Sequence, residues 1–346
     1  MPAKVFFLPW SRIKDFDNWI KYTGLFETFK ERRFTAIKIH FGEEGNHGFI
    51  KPEYVKPVAA GISARGAHPF MTDANTIYVG TRADAVHHAL TADKHGFNIA
   101  NCGCPVIIAD GLRGNAGVDV PVNLKHFKKV SISNAVHYSD SLALMSHFKG
   151  HEITGFGGAI KNAGMGAATR AGKYAMHDRL FPRVDVEKCE ACANCVKWCP
   201  QKALTLKNKK IVMNQTKCVG CGECTLSCKF GVFHIPWDET TGAAQEKIVE
   251  YAYGVVKDKP LICINFVNYV TKFCDCYPTK GEPLIKDVGI FAGTDPVAVD
   301  QACADAVNKE FGSDFVKHIF PGIEWRQQFE YAEKLGLGTR SYEILK

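Results

Sequence analysis

The chain has 346 residues, 46% hydrophobic and 23% charged, a balance that fits two or three globular domains and excludes a disordered or fibrous chain. Its formal net charge of +7 comes with no Lys/Arg block interleaved with aromatics, so nucleic-acid binding has little support. Met1–Trp10 is too short and too soon broken by proline for a signal peptide, and the longest apolar run, Leu261 to Val270, is about half a membrane span and carries Asn265 and Asn268, so the expectation is a soluble cytoplasmic protein with no membrane partner.

Lys4–Leu8 reads as a short buried strand. Asp15–Lys30 predicts a helix, with Phe16, Trp19, Ile20 and Leu25 near helical spacing. Thr35–Phe41 alternates: Ile37, Ile39 and Phe41 fall on one side of a strand, Lys38 and His40 on the other. Lys38, His40, Glu43, Glu44 and Asn46 then follow a strand end, where ligands of α/β sheets tend to bind; the alternative is a solvated loop. Pro52 opens a helix to Arg65. Phe70–Asp73 is a short strand, Arg82–His95 a helix, Pro105–Asp110 and Val130–Ser133 strands, and Ser139–Phe148 a helix. Strands and helices in alternation predict an α/β fold, a mostly parallel sheet with helices on both faces.

Residues 147–177 form a second kind of feature. Seven glycines fall between Gly150 and Gly172, among His147, Lys149, His151, Lys161, Asn162, Arg170, Lys173 and His177. Glycine lets a backbone approach a ligand and turn N–H groups toward an anion, while lysine and histidine bring charge and transferable protons. Lys149, His151, Lys161, Asn162 and His177 are therefore the candidate catalytic residues. Gly155, Gly157 and Gly158, with Lys38 and His40, are the candidate cofactor-binding residues. The stretch is neither a P-loop nor a Rossmann fingerprint, since Ile160 stands where the third glycine belongs. The competing reading is a glycine-packed turn.

Cys189, Cys192, Cys195 and Cys199, followed by Pro200, write C-x2-C-x2-C-x3-C, and Cys218, Cys221, Cys224 and Cys228 write it again. Zinc sites usually want two pairs of ligands and disulfide scaffolds a short secreted chain; two matched runs of four suit two 4Fe-4S clusters. In such a pair the fourth cysteine of each run binds the other cluster. One cluster then takes Cys189, Cys192, Cys195 and Cys228, and the other takes Cys218, Cys221, Cys224 and Cys199. Residues 183–236 resemble a bacterial two-cluster ferredoxin. Lys229 stands where the first run has Pro200, and its charge is expected to raise the cluster potential slightly. Two oxidised clusters remove roughly four charges, so the basic excess of +7 shrinks to about +3. Fourteen cysteines imply a reducing compartment and an anaerobic way of life.

After this segment Ala243–Val256 predicts a helix, Leu261–Val267 and Asp287–Phe291 strands, and Asp295–Glu310 a helix with Asp295 as cap and Pro296 in its first turn. Glu324–Leu335 is a final helix closed by Gly336. Asp300 is expected to be structural or solvent-facing. Three domains in a row would leave the C-terminal part with about two strands. The favoured organisation is therefore one α/β domain, residues 1–182 and 237–346, interrupted by the ferredoxin-like domain at 183–236. Cys274 and Cys276 could bind a further metal or do thiol redox chemistry, with Cys263, Cys102 and Cys104 as extra ligands if the fold brings them near; the alternative is buried apolar thiols.

His147–Lys173, Ile264–Pro278, Asp287–Ala302, Ala36–Asn46 and Cys104–Gly114 resemble the signatures of the iron–sulfur center proteins of domain-of-unknown-function family 362. The resemblance covers nearly the whole chain and implies the split α/β domain, the two clusters and a shared site. The favoured function is an oxidoreductase whose clusters feed electrons to a small-molecule substrate or to a cofactor (flavin, nucleotide or metal) in the α/β domain. The alternatives are an electron carrier docking a redox partner protein, and a metal or cluster scaffold or maturation factor.

Overall fold

The computed structural model describes residues 2–177, 182–218, 220–234, 243–277 and 281–345; the expected boundary at 236/237 and the end of the Ile264–Pro278 motif lie outside the described residues. Eight strands form one sheet: β1 (Ala3–Pro9), β2 (Phe34–Lys38), β3 (His68–Asp73), β4 (Val106–Ile108), β5 (Ser141–His147), β6 (Leu261–Val267), β7 (Gly289–Gly293) and β8 (Tyr342–Leu345). Their order is β8-β1-β7-β6-β5-β2-β3-β4. Strand β7 runs against both its neighbours, and every other pairing is parallel. Strands β5 and β6 pair from Leu142↔Leu261 to His147↔Phe266, so the sheet is joined across the cysteine-rich stretch.

The main helices are α1 (Phe16–Tyr22), α2 (Val55–Ala64), α3 (Ala85–Lys94), α4 (Ala159–Ala167), α5 (Arg170–Met176), α6 (Ala243–Val256), α7 (Pro296–Phe311) and α8 (Gln327–Lys334). Strand side chains point alternately to opposite faces, which divides the core in two. Leu142, Leu144 and Cys263 pack with α4, α6, α7 and α8; Ala143, Met145, Ile262 and Ile264 pack with α1, α2 and Ala92 of α3. Both faces of a mostly parallel sheet are thus covered. Among the described residues no helix is long and apolar enough to cross a membrane.

The helix expected at Ser139–Phe148 is instead strand β5, with all seven residues buried. It lies between parallel partners β2 and β6, and a strand covered on both faces shows a continuous apolar run that periodicity cannot separate from a buried helix. The helix expected at Asp15–Lys30 breaks at Gly24, whose φ of 70° ends α1 before a short 3₁₀ turn, Leu25–Thr28. Strand β8 and the hairpin arms Gly117–Pro121, Lys149–His151 and Gly155–Gly157 lie outside the expected strands: Lys149–His151 and Gly155–Gly157 are too short to show a period, and in Gly117–Pro121 only Val118 and Val120 mark the half-buried side.

Asp295 is a cap, accepting the N–H groups of Val297 and Ala298 at 2.9 Å each. Asp300 is structural but not solvent-facing: it is fully buried and accepts from Ala159 N at 2.6 Å, Ile160 N at 2.9 Å and Asn265 Nδ2 at 2.6 Å. It therefore caps α4 from across the core. Burial pushes its carboxyl up from 3.8 to about 6. The folded chain binds this proton more tightly than the unfolded chain, so stability falls as pH rises from about 4 to about 6 and then levels, by about 3 kcal/mol. The difference in urea-unfolding free energy between the wild type and Asp300→Asn should shift by about that amount, in favour of the variant, across this pH window. A constant difference would deny Asp300 the raised proton affinity.

Candidate functional site

Strands β2, β3 and β5 end at Lys38, Asp73 and His147, and these carboxyl ends open onto a cavity of about 740 Å³. This is the edge at which parallel α/β sheets bind ligands. Of the predicted residues, Lys38, His40, Lys149, His151, Gly157, Gly158, Lys161, Asn162 and His177 line it, together with Glu43, Glu44, Cys274 and Cys276. Asn46 instead bridges two loops, donating to Tyr277 O at 2.9 Å and accepting from Gly48 N at 2.8 Å. Cys102, Cys104 and Cys263 are buried in the two cores.

The floor of the cavity is a buried ionic network. Lys38 is 1% exposed, and its Nζ donates to Asp73 Oδ1 at 2.8 Å and Asn162 Oδ1 at 2.9 Å. Arg82 donates to Asp73 Oδ2 and to Glu43 Oε2, both at 3.2 Å, and to Tyr78 Oη at 2.7 Å. Glu43 also accepts from Thr81 N at 2.8 Å. Burial lowers the proton affinity of Lys38, against the pull of Asp73. Burial acts the other way on Asp73, but Lys38, His40, His88 and Arg82 outweigh it and hold the carboxyl well below the usual range. Asn162 is committed to this floor, since its Nδ2 donates to Lys38 O, Met145 O and Ser146 Oγ at 3.1 Å each. It positions Lys38 and has no amide hydrogen left for a ligand. Asp73 and Arg82, which the sequence reading did not single out, stand at the end of a predicted strand and the start of a predicted helix.

The walls carry the proton chemistry. His147 faces acceptors on both sides, Asp275 Oδ2 at 2.9 Å and Asn268 O at 2.7 Å. Lys149 Nζ donates to His147 O at 2.8 Å and lies 3.3 Å from Asp275. His151 Nδ1 accepts from Ile153 N and Thr154 N at 3.3 Å each, which leaves the proton on Nε2. Burial first, then the charges of Lys161 and Lys149, keep this ring neutral. Lys173, on α5, donates to Asn75 O at 2.8 Å and Ala168 O at 3.1 Å, and burial lowers it to about 8. Such an ammonium is poised to give up its proton near neutrality.

Most glycines of the 150–172 stretch serve packing. A Cβ on Gly158 would sit 2.2 Å from Asp300 Oδ1, and one on Gly155 would sit 2.6 Å from Trp325 and Val316. Gly155 is thus a packing residue outside the cavity wall. Gly166 belongs to the site, because a Cβ there would lie 2.7 Å from Lys38 Nζ.

The two cysteine runs fold alike. Ala191 and Ala193 have φ of 54° and 58°, and the matching Gly220 and Gly222 have 66° and 70°. Left-handed turns of this kind can turn successive N–H groups toward an anion, and Cys218, Cys221 and Cys224 line one cavity with Cys199. Each run contains a short helix, Asn194–Trp198 or Glu223–Ser227, and Asn194 Nδ2 donates across to Ser227 O at 2.7 Å. Burial and the neighbouring thiols of Cys228, Cys192 and Cys189 push Cys195 up to about 11. Cys224 is raised by burial and by Cys221, Cys218, Cys195 and Cys199. The donor sets are all sulfur, as a 4Fe-4S cluster requires. Among the described residues no three His, Cys, Asp or Glu side chains form a preformed cage for a single ion.

Helix α5 joins the two regions. Lys173 and His177 line the cavity, while Tyr174 packs on the second cysteine run so closely that a Cβ on Gly222 would lie 2.1 Å from its ring. Tyr174 Oη donates to Ile77 O in the cavity wall at 2.9 Å. Arg170, fully buried, donates to Glu223 Oε1 at 3.0 Å and to Thr76 O at 3.1 Å. Arg113 donates to Glu223 Oε2 at 2.8 Å and lies 3.9 Å over the Trp198 ring.

The chain is similar to the polyferredoxin-like subunit of an aliphatic sulfonate oxidoreductase of Pyrococcus furiosus, 40% identical over 62 residues, covering 16% of this chain and 36% of that one. It is likewise similar to an uncharacterised ferredoxin of Methanocaldococcus jannaschii, 40% identical over 45 residues, covering 12% of this chain and 27% of that one. The chain thus spans little more than a third, at most, of these relatives. In overall structure it is similar to the lactate racemase apoprotein of Thermoanaerobacterium thermosaccharolyticum, with a TM-score of 0.44 and 10% identity over 90% of this chain and 56% of that one. A family model described as a domain of unknown function (DUF362) matches residues 35–305. The chain belongs to the DUF362 family.

Proposed function

We propose that this protein is an iron–sulfur oxidoreductase. Two 4Fe-4S clusters, in an inserted domain at residues 183–236, exchange electrons with a substrate or cofactor held in the cavity of the split α/β domain (1–182 and 237–346). The clusters take Cys189, Cys192, Cys195 and Cys228, and Cys218, Cys221, Cys224 and Cys199. The similarity of the cysteine segment to ferredoxin-type relatives supports the electron-transfer part. The thiols that surround Cys195 and Cys224 support the crossed ligand sets. The observation that carries the reading is helix α5, one side of which packs on the second cysteine run while the other forms the cavity wall. A carrier has no use for a buried cavity lined by lysines and histidines next to its cluster. Reduction of a bound molecule needs electrons and protons together, and Lys161, Lys173, His151 and His177 stand where protons would be delivered.

The clusters, when bound, supply single electrons. The chain's own residues do the rest. Lys38 and Asn162 hold the cavity floor, Lys149 and Lys161 present positive charge to an incoming group, and His151 offers Nε2–H as a donor. Protein purified without oxygen should hold about eight irons and matching sulfide. Lys161→Ala should leave that count and the dithionite-reduced spectrum unchanged, yet slow the reoxidation of the reduced clusters by small-molecule acceptors roughly a hundredfold. Unchanged reoxidation would make the protein a simple carrier, and lost iron would make Lys161 structural.

A further inference from the structure

The Cys274-Asp275-Cys276 turn forms one wall of the cavity and is held rigidly. Asp275, between the two thiols, is buried and bound by His147 and Lys149. Cys276 N donates to Cys274 Sγ at 3.3 Å, which fixes the two cysteines against each other. Cys276 Sγ lies 3.5 Å from His40 Nε2. The tautomer of His40 follows from its other nitrogen: Nδ1 accepts the N–H of Gly42 at 3.0 Å, so Nε2 carries the proton and donates to the sulfur. The neighbouring Cys274 thiol, then the N–H of His40 and the charge of Arg82, hold the Cys276 thiol well below its ordinary range despite burial, while Cys274 is raised. The sulfur under the His40 N–H is thus the one favoured as thiolate and its neighbour the one favoured as thiol, which is the arrangement of an exchanging dithiol.

We infer that Cys274 and Cys276 form a dithiol–disulfide couple that stores two electrons beside the ligand in the cavity; this rests on the electron-transfer reading above. The balance is closed. Two electrons and one proton break the S–S bond, leaving Cys274 as thiol and Cys276 as thiolate under the His40 N–H. Two one-electron donors, the two clusters, are each oxidised once. In the reverse step the S–S bond re-forms, and the two electrons and the released proton pass to an organic two-electron acceptor in the cavity, such as a carbonyl or activated alkene, which takes its second proton from the side chains around it. The couple converts one-electron chemistry at the clusters into two-electron chemistry at the cavity, the stoichiometry of most organic reductions. His40 is a positioning residue, acting through Cys276.

The sequence makes the test direct, because cleavage after Lys272 and Lys280 yields one peptide holding both cysteines and no other. Anaerobic holoprotein is equilibrated in dithiothreitol redox buffers of stepped ratio, acid-quenched and alkylated, and the peptide is weighed. The expected result is a peptide with two labels or none, never one, exchanging as a two-electron couple. Cys276→Ser should carry one label throughout. In reduced holoprotein, His40→Ala should slow labelling of Cys276 about tenfold, and His40→Gln, which keeps an N–H donor, should largely restore it. Two labels at every potential would overturn the couple. One equivalent of zinc released by Cys276→Ser would replace it with a metal site, and equal labelling rates in all three proteins would remove His40 from it. Iron counts and EPR on the same samples read the clusters separately. A two-label peptide with both clusters present refutes the couple alone, whereas a chain without iron refutes the electron-transfer reading beneath it.

Discussion

Cys228→Ser is expected to remove the cluster held by Cys189, Cys192 and Cys195, and to spare the one beside its own run. Iron should fall by about four per chain, with one of two reduced-cluster EPR signals lost. Cys199→Ser should do the converse and mimic Cys221→Ser. The expectation rests on the crossing of the fourth ligands in two-cluster runs and on the side chains around Cys195, where Cys228 is the first of the thiols that raise it. The two short helices inside the runs, Asn194–Trp198 carrying Cys195 and Glu223–Ser227 carrying Cys224, are tied by the Asn194–Ser227 hydrogen bond. The end of the second run is thereby brought beside the middle of the first, and Cys199, at the end of the first run, lines one cavity with Cys218, Cys221 and Cys224. If Cys228→Ser and Cys224→Ser both lost the same cluster, the fourth ligands would stay within their own runs.

Lys38→Met should destabilise the folded protein by about 3–5 kcal/mol, read from urea unfolding of the clustered protein. Lys38 and Asp73 are 1% and 3% exposed and 2.8 Å apart. Methionine fills most of the volume, so the cost is electrostatic. Asp73 keeps Arg82 at 3.2 Å, but Arg82 is shared with Glu43 and cannot serve both carboxylates fully. Removing one member of a buried pair leaves an uncompensated charge, whereas removing both does not. Lys38→Met with Asp73→Asn should therefore recover most of the loss, a coupling that a double-mutant cycle measures. A loss below about 1 kcal/mol for the single variant would mean that water already solvates the cavity floor.

Parts of this site were legible because they depend on local spacing. The alternation of Ile37, Ile39 and Phe41 with Lys38 and His40 set which side chains face the core and which face the cavity. The left-handed positions of the cysteine loops were also written locally, as Gly220 and Gly222 in one run. Ala191 and Ala193 in the other run adopt the same backbone without the glycine signal. Gly222 is further required because Tyr174 presses against it, a contact made across 48 residues of chain.

The glycine-rich stretch was legible only in part. Its residues do reach the cavity, but Gly155 and Gly158 are glycines because Trp325 and Asp300 lie against them. Asn162 similarly has the composition of a ligand-binding residue and the hydrogen bonds of a positioning one. Asp300, whose sequence context leaves a structural and a solvent-facing reading open, is buried because α7 packs on α4. Strand β5 reads as a helix in the sequence because a strand buried on both faces has no alternation to read.

Sequence alone determined the eight cysteines and their spacing, the α/β grammar, and the facing of Lys38 and His40, because each depends on residues within one or two turns of chain. Tertiary structure decided what those residues meet. Lys38 meets Asp73, His40 meets Cys276 across 236 residues, and helix α5 meets both the cavity and the second cysteine run. Such contacts depend on how the strands are ordered in the sheet, and strand order follows from the packing of whole elements, which no local spacing records.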